Sequence, residues 1–206
     1  MTHRSRFTVS ATMLTLGLLF GCASQPAEVA PQATTALDAL RAQMFTAKTQ
    51  VQESANAARD LIDQPRADLA AQMQRLNASV VALNSTRETA RAKAEAFHKE
   101  SQEYFAKWDE TLKTMSEDTA ERGKKRMGLA QDSIAKLRQD GSDIRSDLNP
   151  FMASLNEANK YLLTDTTKSG LDVVRPQLKS AVGRESEIVK SIDKSIADID
   201  AIRAGK

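Results

Sequence analysis

Apolar and small residues recur at alternating spacings of three and four along most of this 206-residue chain, from Leu37 to Ile202. The resulting 3.5-residue period is the heptad of a coiled coil, which is narrower than the apolar stripe of an ordinary surface helix. A heptad seam has to be covered by a neighbouring helix along its length. The pattern therefore restricts the fold to long helices that pack side by side.

The heptads divide into four segments, because their register shifts at three places. Each shift coincides with a stretch that contains proline, glycine or a run of polar residues, and these stretches are 63–65, 116–123 and 164–170. Prolines and glycines commonly end helices. Two independent signals thus predict four helices, whose seams cover residues 37–61, 69–108, 127–162 and 171–202.

Two of the predicted helices are very long. Residues 66–115 and 120–163 would span about 75 Å and 66 Å at 1.5 Å per residue. Helices of this length cannot bury their seams inside a sphere, so we predict an all-α fold, an elongated antiparallel helical bundle or coiled coil of about four helices, over residues 36–206. Small seam residues such as Ala90 and Ala94 are expected to let helices approach closely.

Five residues disturb the heptads. Pro150 and Pro176 lack a backbone N–H, so each is expected to kink its helix and to be a candidate hinge. Gly141 lies in an Asp-Gly-Ser sequence, yet the register continues through it, which indicates a weak point within one helix. Arg87 and Glu185 occupy seam positions, where polar residues can set the register or lie at a helix end.

The amino-terminal region contains the only cysteine of the chain, Cys22, directly after Gly21. The uncharged run 7–20 follows a basic start and, at 14 residues, is shorter than the roughly 20 that a membrane-spanning helix needs. This arrangement resembles a bacterial lipobox, in which signal peptidase cuts before a lipidated cysteine. The alternative is an ordinary secretory signal with a cysteine near the cut by chance. The resemblance implies a signal peptide over 1–21 and an acylated Cys22.

Lipidation would have consequences for location. Each buried methylene contributes about 0.8 kcal/mol, so the three chains of such a lipoprotein would leave the membrane very slowly. In enteric-type sorting, an aspartate after the cysteine retains the protein in the inner membrane, but here Ala23 follows. The resemblance therefore implies a lipid anchor in the outer membrane and a body in the periplasm. Residues 22–35, which include Pro26 and Pro31, are predicted to be a flexible tether.

The charge of the mature chain argues against nucleic acid as a partner. Residues 1–21 contain Arg4 and Arg6 and no acidic residue, so 27 of the 29 basic residues remain against 27 acidic ones. Phosphate binding requires a clustered positive field, which a neutral and evenly mixed surface does not supply.

No motif in the sequence indicates catalysis, a metal or a cofactor. His98 is the only histidine after the signal segment, and it has neither a second histidine nor a thiol to share a metal with. A surface histidine is the simpler interpretation. The sequence has no phosphate-binding glycine loop and no nucleophile elbow. We therefore expect a protein that is not an enzyme and has no cofactor.

Four aromatic residues, Phe97, Tyr104, Phe105 and Trp108, lie within twelve residues of each other. Three of them follow the heptad, which favours a layer of the helical core. Phe105 lies just outside the seam. The functional alternative is a docking surface for a partner, with Phe105 and Trp108 as its candidate residues.

Two basic features suggest contacts in the cell envelope. Residues 122–126 form a basic cluster that could contact anionic lipid or cell-wall polymer, although Glu117, Asp118 and Glu121 adjoin it and favour a solvated turn. Lys206 follows Ala204-Gly205. An anchored cysteine, heptads and a final lysine resemble the murein lipoprotein, whose last lysine is joined to peptidoglycan. Attachment through Lys206 is our alternative hypothesis.

The segment from Phe105 to Leu112, with Tyr161 and the isoleucine-rich last helix, resembles a proteobacterial lipoprotein family with a coiled-coil domain of unknown function. That resemblance implies a helical periplasmic body and no catalytic residues. Together these features lead us to expect an outer-membrane-anchored lipoprotein that binds or spaces a partner in the envelope. The expected partners are the membrane, an envelope protein or peptidoglycan, and self-association remains open.

Overall fold

The computed structural model describes residues 31–204, with side chains from residue 34 onward. This part of the chain consists of four α-helices joined by short connections. The helices are α1 (Pro31–Asp63), α2 (Ala70–Lys113), α3 (Glu117–Leu162) and α4 (Lys168–Arg203). The 44 residues of α2 and the 46 residues of α3 make these two helices about 66 Å and 69 Å long.

The helices form an antiparallel up-down-up-down bundle in which each helix packs against two others, so that α1 contacts α2 and α4 while α3 contacts the same two. Cross-helix contacts give the register. Ser54 on α1 donates a hydrogen bond to the carbonyl of Ser79 on α2, and Asn159 on α3 donates to Asn77 on α2. Lys136 on α3 pairs with Asp198 on α4. The predicted all-α, elongated bundle with two very long helices is confirmed for the described residues.

The core is a continuous column of aliphatic side chains along the bundle axis. Leu61, Leu76, Phe151 and Ile188 are among the residues that are fully buried, one from each helix. Fully burying a side chain of this kind contributes about 1.5–3 kcal/mol. Every predicted seam residue of α1 except Ala47 is buried. The heptads therefore identified the core-facing side of α1.

Ion pairs between α1 and α4 align the two shorter helices. Arg41 binds Asp200 through two hydrogen bonds, Nε to Oδ1 at 2.6 Å and Nη2 to Oδ2 at 2.9 Å. Arg203, the last residue of α4, pairs with Asp38 near the start of α1 at 2.7 Å. Bidentate pairs of this kind fix geometry better than single contacts. The start of α1 and the end of α4 therefore lie side by side at one end of the bundle.

At this end, α2 and α3 continue beyond the two shorter helices. The Gln43 side chain contacts the carbonyl of Thr86, and α1 begins twelve residues before Gln43, so α1 overlaps α2 up to about residue 98 by helix rise. The Lys136–Asp198 pair similarly places the end of α4 near residue 131 of α3. We call residues 99–130 the arm. It is a two-helix hairpin that projects about 22 Å past the four-helix part.

A buried glutamine fastens the connection between α1 and α2. The Gln72 side-chain amide donates to the carbonyls of Asp60 and Gln64, at 3.1 and 3.0 Å. Its Oε1 accepts from the backbone N–H of Arg66 at 3.0 Å. The last carbonyls of a helix have no partner within the helix. Gln72 therefore completes the hydrogen bonding of the α1 terminus and of the loop that follows.

Several predicted boundaries are wrong by a few residues. The tether predicted over 22–35 overlaps α1, which begins at Pro31, a residue type that suits the first helical position because its missing N–H is not needed there. Gly123 and Gly170 were predicted in breaks, but they lie inside α3 and α4. A Cβ on Gly123 would collide with the Leu112 side chain, and one on Gly170 would collide with the Asp165 carbonyl. Close approach, rather than a turn, accounts for both glycines.

The candidate hinges lie inside continuous helices. Pro150 is within α3 and Pro176 is within α4, and neither residue ends its helix. Gly141 also lies within α3. Of the polar seam residues, Arg87 is exposed, whereas Glu185 is partly buried and pairs with Arg59. Only Glu185 therefore has the cross-helix contact that could set the register.

Over the described part of the chain, no helix has both the length and the apolar composition required to cross a membrane.

Candidate functional site

The arm carries a cluster of three aromatic side chains on α2. The ring centroid of Tyr104 lies 5.6 Å from those of Phe105 and Trp108, and the Phe105 and Trp108 rings lie 6.4 Å apart. These separations are typical of favourable aromatic pairs. Tyr104 and Trp108 share a helix face because they are four residues apart, and Phe105 extends this face sideways. We call these three residues the aromatic cluster.

The aromatic cluster is only partly buried, whereas Phe97 is 5% exposed and belongs to the core. The core interpretation therefore holds for Phe97 alone. Tyr104 and Trp108 follow the same heptad as Phe97, but they lie where α1 and α4 no longer accompany α2. A two-helix hairpin has a seam with two open sides. Seam residues of the arm are consequently accessible to a partner in a way that seam residues of the four-helix part are not.

The tip of the arm is closely packed. Leu112 is 3% exposed and contacts α3 at Gly123, where an added Cβ would overlap a Leu112 methyl group and force that side chain to move. The connection 114–116 is short, and the Thr114 and Met115 N–H groups donate to carbonyls of the last turn of α2. The absence of a Cβ at Gly123 brings the two helices together and holds the aromatic cluster on a defined hairpin.

The basic cluster 122–126 lies in the second and third turns of α3, so the expectation of a solvated turn at this place is wrong. Arg122 pairs with Asp118 one turn earlier, and Lys124 and Lys125 are exposed. Acidic residues in the first turn of α3, Glu117 and Asp118, suit the positive end of its helix dipole. The local acidic residues thus offset part of the positive charge.

A second group of charged residues lies between α3 and α4. Asp140, whose side chain is only 1% exposed, binds Lys194, and Asp198 binds Lys136 at 2.7 Å. Burial raises the pKa of Asp140 despite the opposing effect of Lys194. The hydrogen bond from Lys136 is the main reason that the pKa of Asp198 is lowered. The two carboxyl groups also interact with each other. This network links α3 to α4, so a structural role in helix packing explains these charged residues.

The remaining predicted site residues have the following positions. His98 is partly exposed on α2, and its Nε2 lies 3.2 Å from the Gln102 side chain. Within the described residues, no group of three or more His, Cys, Asp or Glu side chains could hold a metal ion. Gly21, Cys22 and Lys206 lie outside the described residues, so lipidation, signal cleavage and peptidoglycan attachment stay predictions.

Comparison with known proteins supplies no relative: no family model, no curated protein and no solved structure matches this chain.

Proposed function

We propose that this chain is a lipid-anchored, non-enzymatic protein of the outer membrane whose arm binds another protein of the cell envelope. The lipobox-like Gly21-Cys22 sequence supports the anchor. The partly exposed aromatic cluster on a two-helix arm is the observation that supports binding, because aromatic residues are enriched among those that dominate protein interfaces.

The position of the arm relative to the anchor supports a partner close to the membrane. Pro31 begins α1 at the end of the bundle from which the arm projects, and it follows Cys22 by nine residues. Nine residues span at most about 32 Å, which exceeds the roughly 22 Å by which the arm extends beyond α1. A chain anchored at Cys22 can therefore present the arm tip and the aromatic cluster at the membrane surface.

The same geometry disfavours the peptidoglycan hypothesis. Lys206 follows the end of α4 by three residues, and the end of α4 is fixed beside the start of α1 by the Arg203–Asp38 pair. A covalent link at Lys206 would hold the wall at the anchored end of the bundle, so the bundle would add no spacing. Detection of a muropeptide on Lys206 after lysozyme digestion and mass spectrometry would overturn this conclusion.

The docking proposal is tested by in vivo crosslinking with the full chain. Phe105→Ala should remove a specific crosslinked product and leave the melting temperature nearly unchanged, because Phe105 lies beside the seam. Tyr161→Ala is the matched control, since Tyr161 is 38% exposed near the opposite end of the bundle. Equal crosslinking by both variants and by the unmodified chain would refute docking through the arm.

The anchor is tested separately by replacing Cys22. Cys22→Ser should abolish incorporation of radiolabelled palmitate and shift the chain from the outer-membrane fraction. Persistent labelling or unchanged fractionation of this variant would refute anchoring through Cys22.

A further inference from the structure

A cavity of about 350 Å³ opens between α2 and α3, close to where the arm leaves the four-helix part. This volume lies within the range of about 300–1,000 Å³ found for ligand pockets. Residues from all four helices line it, and the small residues Ala90, Ala94 and Gly141 are among those nearest the solvent. The α2–α3 interface is the sparsest of the four. The small residues therefore leave a gap instead of drawing the helices together.

The floor of the cavity is apolar. Met44, Val51, Leu83 and Ile192 line it, and each of them is no more than 9% exposed. They come from α1, α2 and α4, so the cavity reaches through the α2–α3 gap into the centre of the bundle. Apolar surface of this kind is favourably covered by an aliphatic chain.

The exposed side of the cavity is positively charged. Its lining includes Arg87, Arg91, Arg145 and Glu95. Arg91 is paired with Glu95, Nε to Oε1, at 2.8 Å. Across residues 34–204, neither Arg87 nor Arg145 has a carboxylate within ion-pair distance. Two guanidinium groups are therefore available beside an apolar cavity, and guanidinium binds carboxylate and phosphate through paired hydrogen bonds.

We propose that this cavity binds an anionic amphiphile with a single acyl chain. The chain would cover Met44, Leu83 and Ile192, and the carboxylate or phosphate would bind Arg87 and Arg145. A fatty acid and a lysophospholipid share this chemistry. The proposal goes beyond docking through the arm and is independent of lipidation at Cys22, because it uses only side chains inside the bundle.

The first experiment locates the bound chain. The full chain in phosphatidylcholine vesicles is exposed to palmitate that carries a photoreactive diazirine, and crosslinked peptides are identified by mass spectrometry. We expect adducts on residues that line the cavity, above all around Leu83 and Ile144. Adducts distributed over exposed helix faces, with no enrichment at the cavity, would overturn the proposal.

Filling the cavity provides a test of its shape. Ala90→Leu places a larger side chain in the α2–α3 gap and should reduce cavity adducts at least about tenfold, since a well-packed side chain excludes the ligand. Ala96→Leu is the matched control, because Ala96 is exposed on the same helix and is not part of the lining. Equal labelling of the two variants would overturn the proposal, provided that circular dichroism shows both to be folded.

Removing the charges tests the headgroup and does not depend on repacking, because these arginines are exposed. Arg87→Gln with Arg145→Gln should weaken competition by unlabelled palmitate about tenfold or more, as expected for lost hydrogen bonds to a charged group. Arg138→Gln, on an exposed residue of α3 outside the lining, should have no effect. Equal competition by hexadecanol, which has no charge, would refute the role of the arginines. Lysophosphatidate as a second competitor distinguishes a phosphate headgroup from a carboxylate.

Discussion

The Asp140–Lys194 pair should respond very differently to the loss of each partner. The Asp140 side chain is 1% exposed, whereas that of Lys194 is 57% exposed. Removing Lys194 leaves a buried carboxylate without its cation, while removing the carboxylate leaves a lysine that can extend into water. Loss of one partner is costly when the other remains charged and buried. We therefore expect Lys194→Met to destabilise the fold and Asp140→Asn to leave it nearly unchanged.

The destabilisation is bounded by the free energy needed to protonate Asp140. A carboxyl group with an ordinary pKa of about 3.9 takes up a proton at pH 7 at a cost of about 4 kcal/mol, and at pH 5 of about 1.5 kcal/mol. If keeping Asp140 ionised in the folded Lys194→Met variant costs more free energy than this protonation, Asp140 will take up a proton instead. We expect a loss of about 2–3 kcal/mol at pH 7, below the bound, because the lost attraction was partly screened by water around the lysine.

The asparagine variant has a compensating contact. Oδ2 of Asp140 and Oδ2 of Asp198 are both buried without a hydrogen-bond partner among the described residues. The two carboxyl groups interact, so an amide at position 140 can donate a hydrogen bond to Asp198. Asp140→Asn should therefore be neutral or slightly stabilising at pH 7, and the double variant with Lys194→Met should be close to it.

The direction of the Asp140 pKa shift determines how the stability of the fold changes with pH. Burial raises the pKa of Asp140 in the folded state, so folding favours its protonated form and the contribution of Asp140 to stability falls as pH rises above about 4. Without Lys194 this decline should be steeper. Urea unfolding of the full chain at pH 5 and pH 7, followed by circular dichroism, measures the difference. A Lys194→Met deficit that is equal at both pH values, or an equal loss in Asp140→Asn, would refute the reasoning.

Two further predictions concern the arm and the first connection. Gly123→Ala should lower the melting temperature because the added Cβ collides with Leu112. Gly128→Ala is the control: its Cβ meets open space, so it should raise the melting temperature slightly through better helix propensity, worth up to about 1 kcal/mol. The opposite order of the two melting temperatures would contradict the proposed packing of the arm tip. Gln72→Ala should cost about 1–3 kcal/mol in urea unfolding because the Gln64 carbonyl loses the hydrogen bond from the Gln72 amide. A loss below about 0.5 kcal/mol would show that water replaces the amide.

Heptads predicted the core well where four helices pack and less well elsewhere. In α4, seam residues such as Leu178 and Ile192 are buried because α1 and α3 both pack against this helix. In α2, the same register gives a buried Leu76 but a partly exposed Trp108. A seam pattern reports that a helix face is apolar, not how many helices cover it. The arm could therefore be recognised only after the lengths and register of all four helices were known.

The cavity could not be predicted from the sequence, for a related reason. Ala90 and Ala94 were expected to bring helices together, but they line an opening instead. A small residue permits close approach and equally permits a gap, and the larger neighbours decide between the two outcomes. Arg87 shows the same limit, because its seam position indicated a structural role whereas its side chain is exposed beside the cavity.

The side-by-side placement of the α1 start and the α4 end has a mechanical consequence. A pull on Pro31 resisted at the arm would slide α1 along α2 and α4, so that the Arg41–Asp200 and Lys48–Asp193 pairs are loaded together with the core. A pull between the two adjacent chain ends would instead peel α1 from α4 one turn at a time. Forced unfolding is governed by the unfolding rate, which is lower when many contacts must break together than when they break one after another. The bundle should therefore resist far more force between the tether and the arm than between its own two ends.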